Sequence, residues 1–497
     1  MTKTDVVVIG AGAAGIGAAI TLAEASKNVI LLEKGNRYGG AGMFGAQGLF
    51  AVNSQQQQAT KSSLTLAQAY QEMMTYTHYR SNAPLTKAIL SKSADTIDWL
   101  ADHGLATELV NNTQEVHQDR PRVYHQYIDK FAGFERLMQH FLDHGGILKT
   151  ETAAKSLKYD GQQVTGVVVE HDGHETLINC QAVIVADGGY IGNPEMVKQY
   201  LDIDAKNLFS MGERKATGDG ISMLADLGAD TKSLGTFENH AASVVSDSDP
   251  KWHNDTIFTL TNLPLLWVNA AGKRFVDEGI VYDFALWGNA TYQAGGYYYF
   301  VIDQHLIDQL KTSALPLTHS FERTFTTLAH QEVTHHVGPF TEIDADLAQA
   351  VEKGAAFKGD TLAELSAQLH VSAEQLTATV ARYNDLVQRG HDEDFYKTDN
   401  FMNYPVQQGP FYAIKARSTS LGTIGGIETN EKLEALKPNA HPIKGAFVAG
   451  NNASGMYDTS YPTTEGISCA FAWNSGRIAG ESASHLIETG TQNYYEA

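Results

Sequence analysis

The chain has 497 residues, of which 43% are hydrophobic, and a formal net charge of −21 at pH 7. That length allows two or three domains, or one large domain that carries an insertion. The negative charge argues against nucleic acid and anionic membranes as partners, because both are bound by clusters of Lys and Arg. No apolar run approaches the roughly 20 residues needed to cross a bilayer, so no membrane span is predicted.

Cysteine usage and the start of the chain narrow the class of protein further. Cys180 and Cys469 lie in unrelated segments without a CxxC pattern. A disulfide framework, a zinc site and an iron–sulfur cluster are therefore not expected, and no metal ligand is predicted. A buried strand is predicted within a few residues of Met1, where a signal sequence would otherwise lie. These features favour a cytoplasmic protein that acts on a small molecule.

The first segment with a specific pattern covers residues 4–34. A β-branched strand leads into the sequence GAGAAG, then into a helix of small residues and a second strand that ends at Glu33. This is the order of a dinucleotide-binding fingerprint. Gly10 makes the tight turn, Gly12 admits a pyrophosphate, Gly15 allows close helix–strand packing, and Glu33 holds a ribose hydroxyl. The alternative, a glycine turn without a ligand, is disfavoured because every part of the unit has the required spacing.

A second glycine-dense segment, residues 35–48, follows directly. Nicotinamide domains do not need such a segment so soon, whereas a larger cofactor lying across the sheet does, because the backbone must again approach it closely. Residues 55–58 are predicted to be a surface loop. Residues 65–104 and 134–145 are predicted to be helical.

The later segments predict how the domains are arranged. Residues 182–190 are a buried strand that runs into a glycine turn, and residues 217–220 open a helix; both are assigned to the first sheet. Between 236 and 407 the pattern changes to more aromatic residues and new strands. We therefore predict a dinucleotide-binding domain formed by residues 1–235 and 408–497, with an inserted domain between them.

Several motifs then occur in one order along the chain. They are the fingerprint, Gly39-Gly40, Ala186-Asp187-Gly188-Gly189, Thr217-Gly218-Asp219-Gly220, and the segments 272–278 and 445–450. In this combination the chain resembles the fumarate reductase/succinate dehydrogenase flavoprotein superfamily, which includes the 3-ketosteroid dehydrogenases. The resemblance covers nearly the whole chain. It implies an α/β fold in which a Rossmann-like FAD-binding domain carries an inserted α+β capping domain, and it implies hydride transfer between flavin N5 and carbon.

The departures from that superfamily are informative. Succinate dehydrogenases attach flavin covalently to a histidine, whereas the corresponding place here is near Gly42 and has no His, so non-covalent FAD is expected. Fumarate-reducing members place an arginine where Tyr282 falls. Their carboxylate-binding histidine and arginine would lie in 421–426 and 459–466, which contain neither. Because carboxylate recognition depends on guanidinium geometry, fumarate is a poor candidate substrate.

Tyrosines near two of these positions resemble the ketosteroid dehydrogenases. Tyr461 is predicted to hydrogen-bond a substrate carbonyl or phenol, and Tyr282 is predicted to donate a proton. The alternative for each is a core tyrosine whose hydroxyl is bonded locally. Tyr124, His125 and Tyr127 lie where the family often lines the site, but His and Tyr in a polar loop are usually surface residues, so they are expected at the surface.

The predicted activity is reduction of an activated C=C bond in a small aromatic or enone substrate. Alternatives are a 3-ketosteroid Δ1-dehydrogenase-like enzyme, a fumarate reductase-like enzyme and a non-catalytic flavin redox sensor. Electrons would come from an external donor: reduced flavin, NAD(P)H or a partner protein.

The resemblance also implies the FAD contacts, including the N-terminus of the last helix, whose N–H groups would face the flavin N1/O2 edge. The predicted cofactor-binding residues are Gly10, Gly12, Ala13, Ala14, Gly15, Glu33, Lys34, Gly40, Ala41, Gly42, Gly45, Ala46, Gln47, Gly48, Ala154, Ala186, Asp187, Gly188, Asp219, Gly450, Asn451, Gly466 and Ile467.

Overall fold

A computed structural model describes most of the chain. The described residues are 2–60, 64–112, 115–117, 119–246, 248–249, 251–317, 323–326, 332–335, 338–458, 461 and 464–492. Residues 459, 460, 462 and 463, next to Tyr461, therefore lie outside the described part.

A six-stranded sheet forms the centre of the larger domain. Its strand order is Glu434–Leu436, Pro442–Val448, Ala182–Val185, Val6–Ile9, Val29–Leu32 and Ile147–Lys149. All neighbours in it are parallel except the first pair. Every residue of Val6–Ile9 is buried, as expected for a strand covered on both faces of a parallel sheet.

Two helices from opposite ends of the chain pack against each other beside this sheet. They are the fingerprint helix, Ala13–Glu24, and the C-terminal helix, Ile467–Thr489. A Cβ placed on Gly476 would lie 2.1 Å from the carbonyl oxygen of Ala14. The two backbones can approach this closely only because that position has no side chain.

Two smaller sheets flank the central one. The four-stranded sheet has the order Thr2–Lys3, His174–Asn179, Val164–His171 and Thr152–Tyr159. The three-stranded sheet has the order Gly48–Phe50, Tyr124–Tyr127 and Thr107–Leu109.

A further sheet, here called the cap sheet, is built on the long strand Phe411–Thr423. Its order is Leu208–Ser210, Phe411–Thr423, Tyr297–Asp303 and Trp267–Val268, and the long strand also pairs with Phe237–Val244 and Ala356–Gly359. Strands of this sheet thus lie outside the predicted insertion, residues 236–407. The division of the chain into 1–235, 236–407 and 408–497 stays a prediction, and the cap sheet runs across both of its boundaries. A two-stranded ribbon pairs Arg323–Thr326 with Glu332–His335.

The remaining elements of the described residues are helical. The other α-helices are Gly40–Phe44, Gln55–Thr60, Leu66–Tyr76, Ala83–Asp102, Lys130–Asp143, Pro194–Leu201, Asp219–Ala225, Asp255–Leu260, Phe284–Gln293, Gln304–Leu310, Ile343–Glu352, Leu362–Leu369 and Ala373–Arg389. Short 3₁₀ turns are Glu115–His117, Ala205–Asn207, Glu278–Tyr282, Asp399–Phe401 and Gly450–Asn452.

The predicted helix over 65–104 is two helices. The second begins after Asn82, whose side chain accepts a hydrogen bond from the backbone N–H of Leu85 at 3.2 Å, with Pro84 in its first turn. An Asn cap and a proline in the first turn are standard start signals, and they divide the segment here.

The predicted surface loop at 55–58 is wrong, because these residues begin the helix Gln55–Thr60. Gln57 is fully buried, and its amide donates to the carbonyl oxygens of Ala51 at 2.9 Å and Arg122 at 2.8 Å. A polar tract suggested solvent exposure, but hydrogen bonds to distant backbone satisfy the buried amide.

A buried ion cluster connects two parts of the cap. Arg274 pairs with Glu278 at 2.7 Å and with Asp392 at 2.8 Å, and Lys397 pairs with Glu278 at 3.0 Å. Burial raises the pKa of Asp392, but the hydrogen bonds and charge of Arg274 outweigh this effect and lower the pKa to about 2. The Arg274 and Glu278 of the 272–278 motif therefore have structural partners.

Replacing Arg274 should destabilise the protein. Arg274→Ala leaves buried Asp392 without its cation and Glu278 with Lys397 alone, which should lower the free energy of unfolding by about 3–5 kcal/mol. The urea midpoint of the purified protein measures this loss. Arg382→Ala is the control: that guanidinium pairs with Asp394 at 2.6 Å but is 38% exposed, so the midpoint should change little. Equal losses in the two variants would contradict the importance of the buried cluster.

Candidate active site

A cavity of about 1240 Å³ extends from the fingerprint to the cap sheet. Its walls are formed by the turn after Val6–Ile9, the second glycine segment, the strand Phe237–Val244 and the start of the C-terminal helix. Sites for drug-sized ligands have volumes of about 300–1000 Å³. This cavity therefore has room for a dinucleotide and a second small molecule.

Most of the predicted cofactor-binding residues line this cavity. Those that do are Gly10, Gly12, Ala13, Ala14, Glu33, Lys34, Gly40, Ala41, Gly42, Gly45, Ala46, Gln47, Gly48, Ala154, Ala186, Asp187, Gly188, Asp219, Gly450, Asn451 and Gly466. Gly15 and Ile467 are buried and do not line it.

Each glycine of the fingerprint is needed for a different structural reason. Gly10 has a φ of +99°, and a Cβ there would lie 2.4 Å from the carbonyl oxygen of Ala186. A Cβ on Gly15 would lie 1.8 Å from the carbonyl oxygen of Gly10. A Cβ on Gly12 would meet no protein atom within 4 Å. Gly12 thus leaves an open cradle at the N-terminus of the fingerprint helix, and this cradle fits a pyrophosphate.

The second glycine segment folds back onto the fingerprint. The backbone N–H of Gly39 donates to the carbonyl oxygen of Ala11 at 2.7 Å. A Cβ on Gly42 would lie 2.6 Å from the Cβ of Ala13. The two glycine-rich segments therefore form one continuous wall of the cavity.

Acidic and basic residues pair at one end of the cavity. Glu33 accepts hydrogen bonds from the backbone N–H of Gly35 at 2.7 Å and from Lys215 Nζ at 3.1 Å. Lys34 Nζ donates to Asp219 Oδ2 at 2.7 Å. Lys215 was not predicted from the sequence, because it is remote from the fingerprint along the chain.

A buried carboxylate holds three cavity segments together. Asp187 accepts from the backbone N–H of Gly220 at 2.9 Å and from the Asn452 amide at 2.6 Å. The side-chain oxygen of Asn452 in turn accepts from the N–H of Gly188 at 2.7 Å. Burial is the main reason that the pKa of Asp187 is raised. Sequence reasoning selected Asn451, which lines the cavity, and missed Asn452.

The two predicted catalytic tyrosines lie in different environments. Tyr461 lines the cavity and is 8% exposed, and burial raises its pKa, with the charge of Glu238 adding to the rise. Tyr282 does not line the cavity. It lies in the cap core beside Phe401, and its hydroxyl donates to the carbonyl oxygen of Leu317.

Glu238 was not predicted as a site residue, although it lines the cavity close to Tyr461. It is 4% exposed, and burial raises its pKa to about 7, which the hydrogen bond with Ser468 only partly opposes. Ser468 lies next to both Tyr461 and Glu238, so the three side chains form a row along the wall. The available signal was a single acid near the start of the strand Phe237–Val244.

Glu465 also lines the cavity and is buried. Its carboxylate forms a hydrogen bond with His117 Nδ1 at 3.2 Å, and His117 Nε2 lies 3.9 Å from Asp283 in the cap. Glu465 therefore connects the cavity wall to His117.

The expected surface position of three aromatic residues is wrong. Tyr124 lines the cavity, and Tyr127 is buried against Trp473, whose Nε1 donates to its hydroxyl at 2.7 Å. His125 is fully buried beside Ser54 Oγ at 2.8 Å, and burial lowers its pKa to about 4. His125 is therefore neutral at pH 7.

Away from the cavity, three possible metal-ligating side chains meet. Glu24 lies 2.7 Å from His103 Nε2 and 3.0 Å from His140 Nε2. Both separations are hydrogen-bond distances. Burial raises the pKa of Glu24, but the hydrogen bonds and charges of the two histidines outweigh it and lower the pKa.

The charges of the cavity wall are unevenly distributed. Among the described residues, no arginine lines the cavity. Lys34, Lys215 and Lys251 line it, and the first two pair with Asp219 and Glu33. The wall around Tyr461 and Glu238 therefore contrasts with a site built to bind carboxylates through a guanidinium fork.

The chain is similar in sequence to a known protein family and to several known enzymes. Residues 5–468 match the family described as FAD binding domain. The chain is 31% identical over 489 residues to a vinyl phenol reductase of Lactiplantibacillus plantarum, and the match covers 96% of each chain. It is 25% identical over 504 residues to an NADH:fumarate oxidoreductase of Klebsiella pneumoniae, covering 99% of this chain and 47% of that protein.

Solved structures share the fold. A 3-ketosteroid Δ1-dehydrogenase from Sterolibacterium denitrificans, in complex with 1,4-androstadiene-3,17-dione, matches with a TM-score of 0.75 at 19% identity, covering 98% of this chain and all (100%) of that one. The open conformation of a flavocytochrome c3 fumarate reductase matches with a TM-score of 0.68 at 24% identity, covering 98% of this chain and 79% of that one.

The dinucleotide cradle, the central parallel sheet and the cap together define a flavin-dependent oxidoreductase. The chain belongs to the FAD binding domain family, within the fumarate reductase/succinate dehydrogenase flavoprotein superfamily. The predicted family, α/β fold and FAD-binding class are confirmed, and so is the predicted class of enzyme acting on carbon–carbon bonds. Such an enzyme takes a small-molecule substrate and an external electron donor. In the described part of the chain, we find no helix with the length and apolarity required to cross a bilayer.

A side chain that fills the open cradle should weaken the binding of FAD without disturbing the fold. In Gly12→Ala the new methyl group projects into the cavity, so the Kd for FAD should rise about tenfold or more, equivalent to at least ~1.4 kcal/mol. Titration of the apoprotein with FAD measures this change. Gly145→Ala, in an exposed turn outside the cavity, is the control: its φ of +82° strains an alanine, but the cavity is unchanged and FAD should bind normally. Normal FAD affinity in Gly12→Ala would contradict the placement of the pyrophosphate.

Proposed function

We propose that the protein reduces the activated C=C bond of a small, neutral aromatic or enone substrate, with non-covalent FAD and an external electron donor. The observation that carries this proposal is the row Tyr461–Ser468–Glu238 in a cavity wall that has no arginine among its described residues. The similarity to a vinyl phenol reductase along 96% of both chains supports it.

The wall near Tyr461 explains why a neutral substrate is favoured. A carboxylate bound there would face Glu238 and Glu465 without a guanidinium to pair with. Like charges in a poorly solvated site are costly. A carbonyl or a phenol carries no such charge and can hydrogen-bond to the tyrosine hydroxyl.

FAD, when bound, supplies the hydride from its N5 position. Gly466, which lines the cavity, would hold its pyrimidine edge, because the N-terminus of the C-terminal helix favours negative charge. Gly466 is tied to the wall on the other side, since its carbonyl oxygen accepts from the N–H of Phe50 at 3.0 Å. The helix start is thereby held beside the strand Gly48–Phe50.

Tyr461 supplies the proton or polarises the conjugated group. Burial and Glu238 keep its hydroxyl protonated at neutral pH, as a proton donor must be. Its backbone carbonyl accepts from the hydroxyl of Tyr76 at 2.9 Å, which fixes the position of the residue. Ser468 lies beside both this hydroxyl and Glu238, and it would pass a replacement proton from one to the other.

Tyr282 remains a predicted proton donor, but its surroundings support this role less well than those of Tyr461 do. Its hydroxyl is bonded to Leu317 within the cap core, whereas Phe284, two residues later, lines the cavity. The electron donor remains one of reduced flavin, NAD(P)H or a partner protein, and the cytoplasmic location stays a prediction from the sequence.

Anaerobic reoxidation tests the proposed reaction. The holoenzyme is reduced with dithionite, and an alkene is added while the flavin absorbance is followed. A vinylphenol or an enone should reoxidise the flavin, and fumarate should not, because the wall lacks a guanidinium partner for it. Reoxidation by fumarate alone would refute the proposal, and no reoxidation by any alkene would favour the flavin sensor.

Removing the Tyr461 hydroxyl should slow that reaction. Tyr461→Phe should lower the reoxidation rate by about 10²–10⁴-fold, the usual contribution of a positioned general acid. Tyr282→Phe should have a smaller effect. Tyr457→Phe is the matched control, because Tyr457 is buried nearby but does not line the cavity. A loss in Tyr282→Phe that exceeds the loss in Tyr461→Phe would assign the proton to Tyr282.

Acid precipitation tests how the flavin is attached. The segment around Gly42 offers no histidine for a covalent bond, so precipitation with trichloroacetic acid should leave the yellow colour in the supernatant. Flavin that stays with the precipitated protein would show a covalent link.

A further inference from the structure

The position of Glu238 in the cavity points to a role beyond that of replacing the proton of Tyr461. It is the second residue of the strand Phe237–Val244, and His240, two residues further on, also lines the cavity. The intervening Asn239 is engaged elsewhere, since its amide donates to Asn289 at 2.6 Å. The strand therefore directs Glu238 to the cavity and Asn239 away from it, as the alternation of a strand requires.

One oxygen of the Glu238 carboxylate is left without a partner. Ser468 hydrogen-bonds the carboxylate, but within the described residues Oε1 has no hydrogen-bond partner and is inaccessible to solvent. Leaving a buried polar atom without a partner is costly, and more so for a charged group. Because Oε1 is enclosed, a donor in the cavity has to approach the other oxygen, Oε2.

The opposite wall leaves room for a donor beside Oε2. Gly422 faces Glu238, and a Cβ on Gly422 would lie 3.3 Å from Glu238 Oε2 and 2.7 Å from the Asn451 amide nitrogen. Any side chain at Gly422 would crowd the carboxylate. The glycine thus keeps open the space beside Glu238.

The neighbouring titratable groups stay neutral near pH 7. Tyr457, Tyr461 and Cys469 all interact with the charge of Glu238, and burial is the main cause that raises each pKa, that of Cys469 to about 12. Glu238, with a pKa of about 7, is therefore the acid in this row that changes its charge near neutrality. His240 is the other titratable side chain on the same strand face.

We infer that Glu238 is a specificity-determining residue that accepts a hydrogen bond from a hydroxyl group on the aromatic ring of the substrate. The substrate class is thus narrowed to hydroxyaryl alkenes. This inference rests on the proposed function for the alkene, and on the geometry around Glu238 for the hydroxyl group.

The chemistry of the two groups is complementary. A phenol has a pKa of about 10, so it keeps its proton at pH 7 and can donate it to a carboxylate. Hydrogen bonds to an ionised acceptor are roughly twice as strong as neutral ones. A site built around a hydroxyl rejects the analogue that lacks it, because its own polar group is then left unpaired.

Binding of saturated ligands to the oxidised holoenzyme tests this inference without turnover. The ligands are 4-ethylphenol and its methyl ether, 4-ethylanisole, and the perturbation of the flavin absorbance band gives each Kd. The phenol should bind at least about tenfold more tightly than the ether. Equal affinities would overturn the inference, and this comparison needs no variant protein.

Glu238→Gln identifies the residue responsible. The amide keeps the size of the side chain but loses the charge, so most of the preference for the phenol should disappear. Glu434→Gln is the matched control, because Glu434 is also a buried acid with a pKa raised by burial but lies outside the cavity. An unchanged preference in Glu238→Gln would overturn the inference.

The pH profile gives a readout that a purely structural role would not move. Since the carboxylate form is the acceptor, the affinity for 4-ethylphenol should fall about tenfold between pH 8 and pH 6, as Glu238 becomes protonated. In Glu238→Gln this dependence should vanish. A dependence that persists in Glu238→Gln would assign the titration to a group other than Glu238 and contradict the inference.

The two proposals fail separately. If 4-ethylphenol binds in a manner that depends on Glu238 but no alkene reoxidises the flavin, the hydroxyl site stands and the reductase function fails. If alkenes with and without a hydroxyl reoxidise the flavin equally well, the reductase function stands and the hydroxyl site fails.

Discussion

The close contact between the fingerprint helix and the C-terminal helix is the constraint on which the site depends. The carbonyl oxygen of Ala14 occupies the space that a side chain on Gly476 would need. Because the two helices pack this closely, the first turn of the C-terminal helix is held beside the dinucleotide cradle. Gly466 then bonds to Phe50, and Ser468 and Cys469 reach the cavity wall. Residues from the two ends of the chain thereby form one site.

The polarity of the cavity separates its two ends. At the fingerprint end, acids and lysines neutralise each other around the backbone N–H groups of a helix start. At the cap end, Glu238 lies among tyrosines that burial keeps protonated, and its charge has no described cation beside it. This difference suits a charged cofactor at one end and a neutral, hydrogen-bonding substrate at the other.

The cofactor half of the site could be predicted because its residues follow one another along the chain. Gly10, Gly12 and Glu33 belong to one strand–turn–helix–strand unit, so their spacing alone indicates their roles. The substrate half comes from separate elements. Tyr461 was found through a motif, while Glu238 and Ser468 carry no local pattern. Tyr282 was placed by motif position, and the packing of the cap directs its hydroxyl to Leu317 instead.

By itself, the sequence determined the class of fold, the cofactor, and the absence of the arginine and histidine motifs that grip a dicarboxylate. Those features depend on local periodicity and on residue identity, which a chain displays directly. Only the tertiary structure decided that Gln57 is buried, that the cap sheet crosses the predicted domain boundaries, and that Glu238 faces the cavity with one oxygen unpaired. Such outcomes depend on which distant backbone or side-chain groups meet, and no local pattern specifies that.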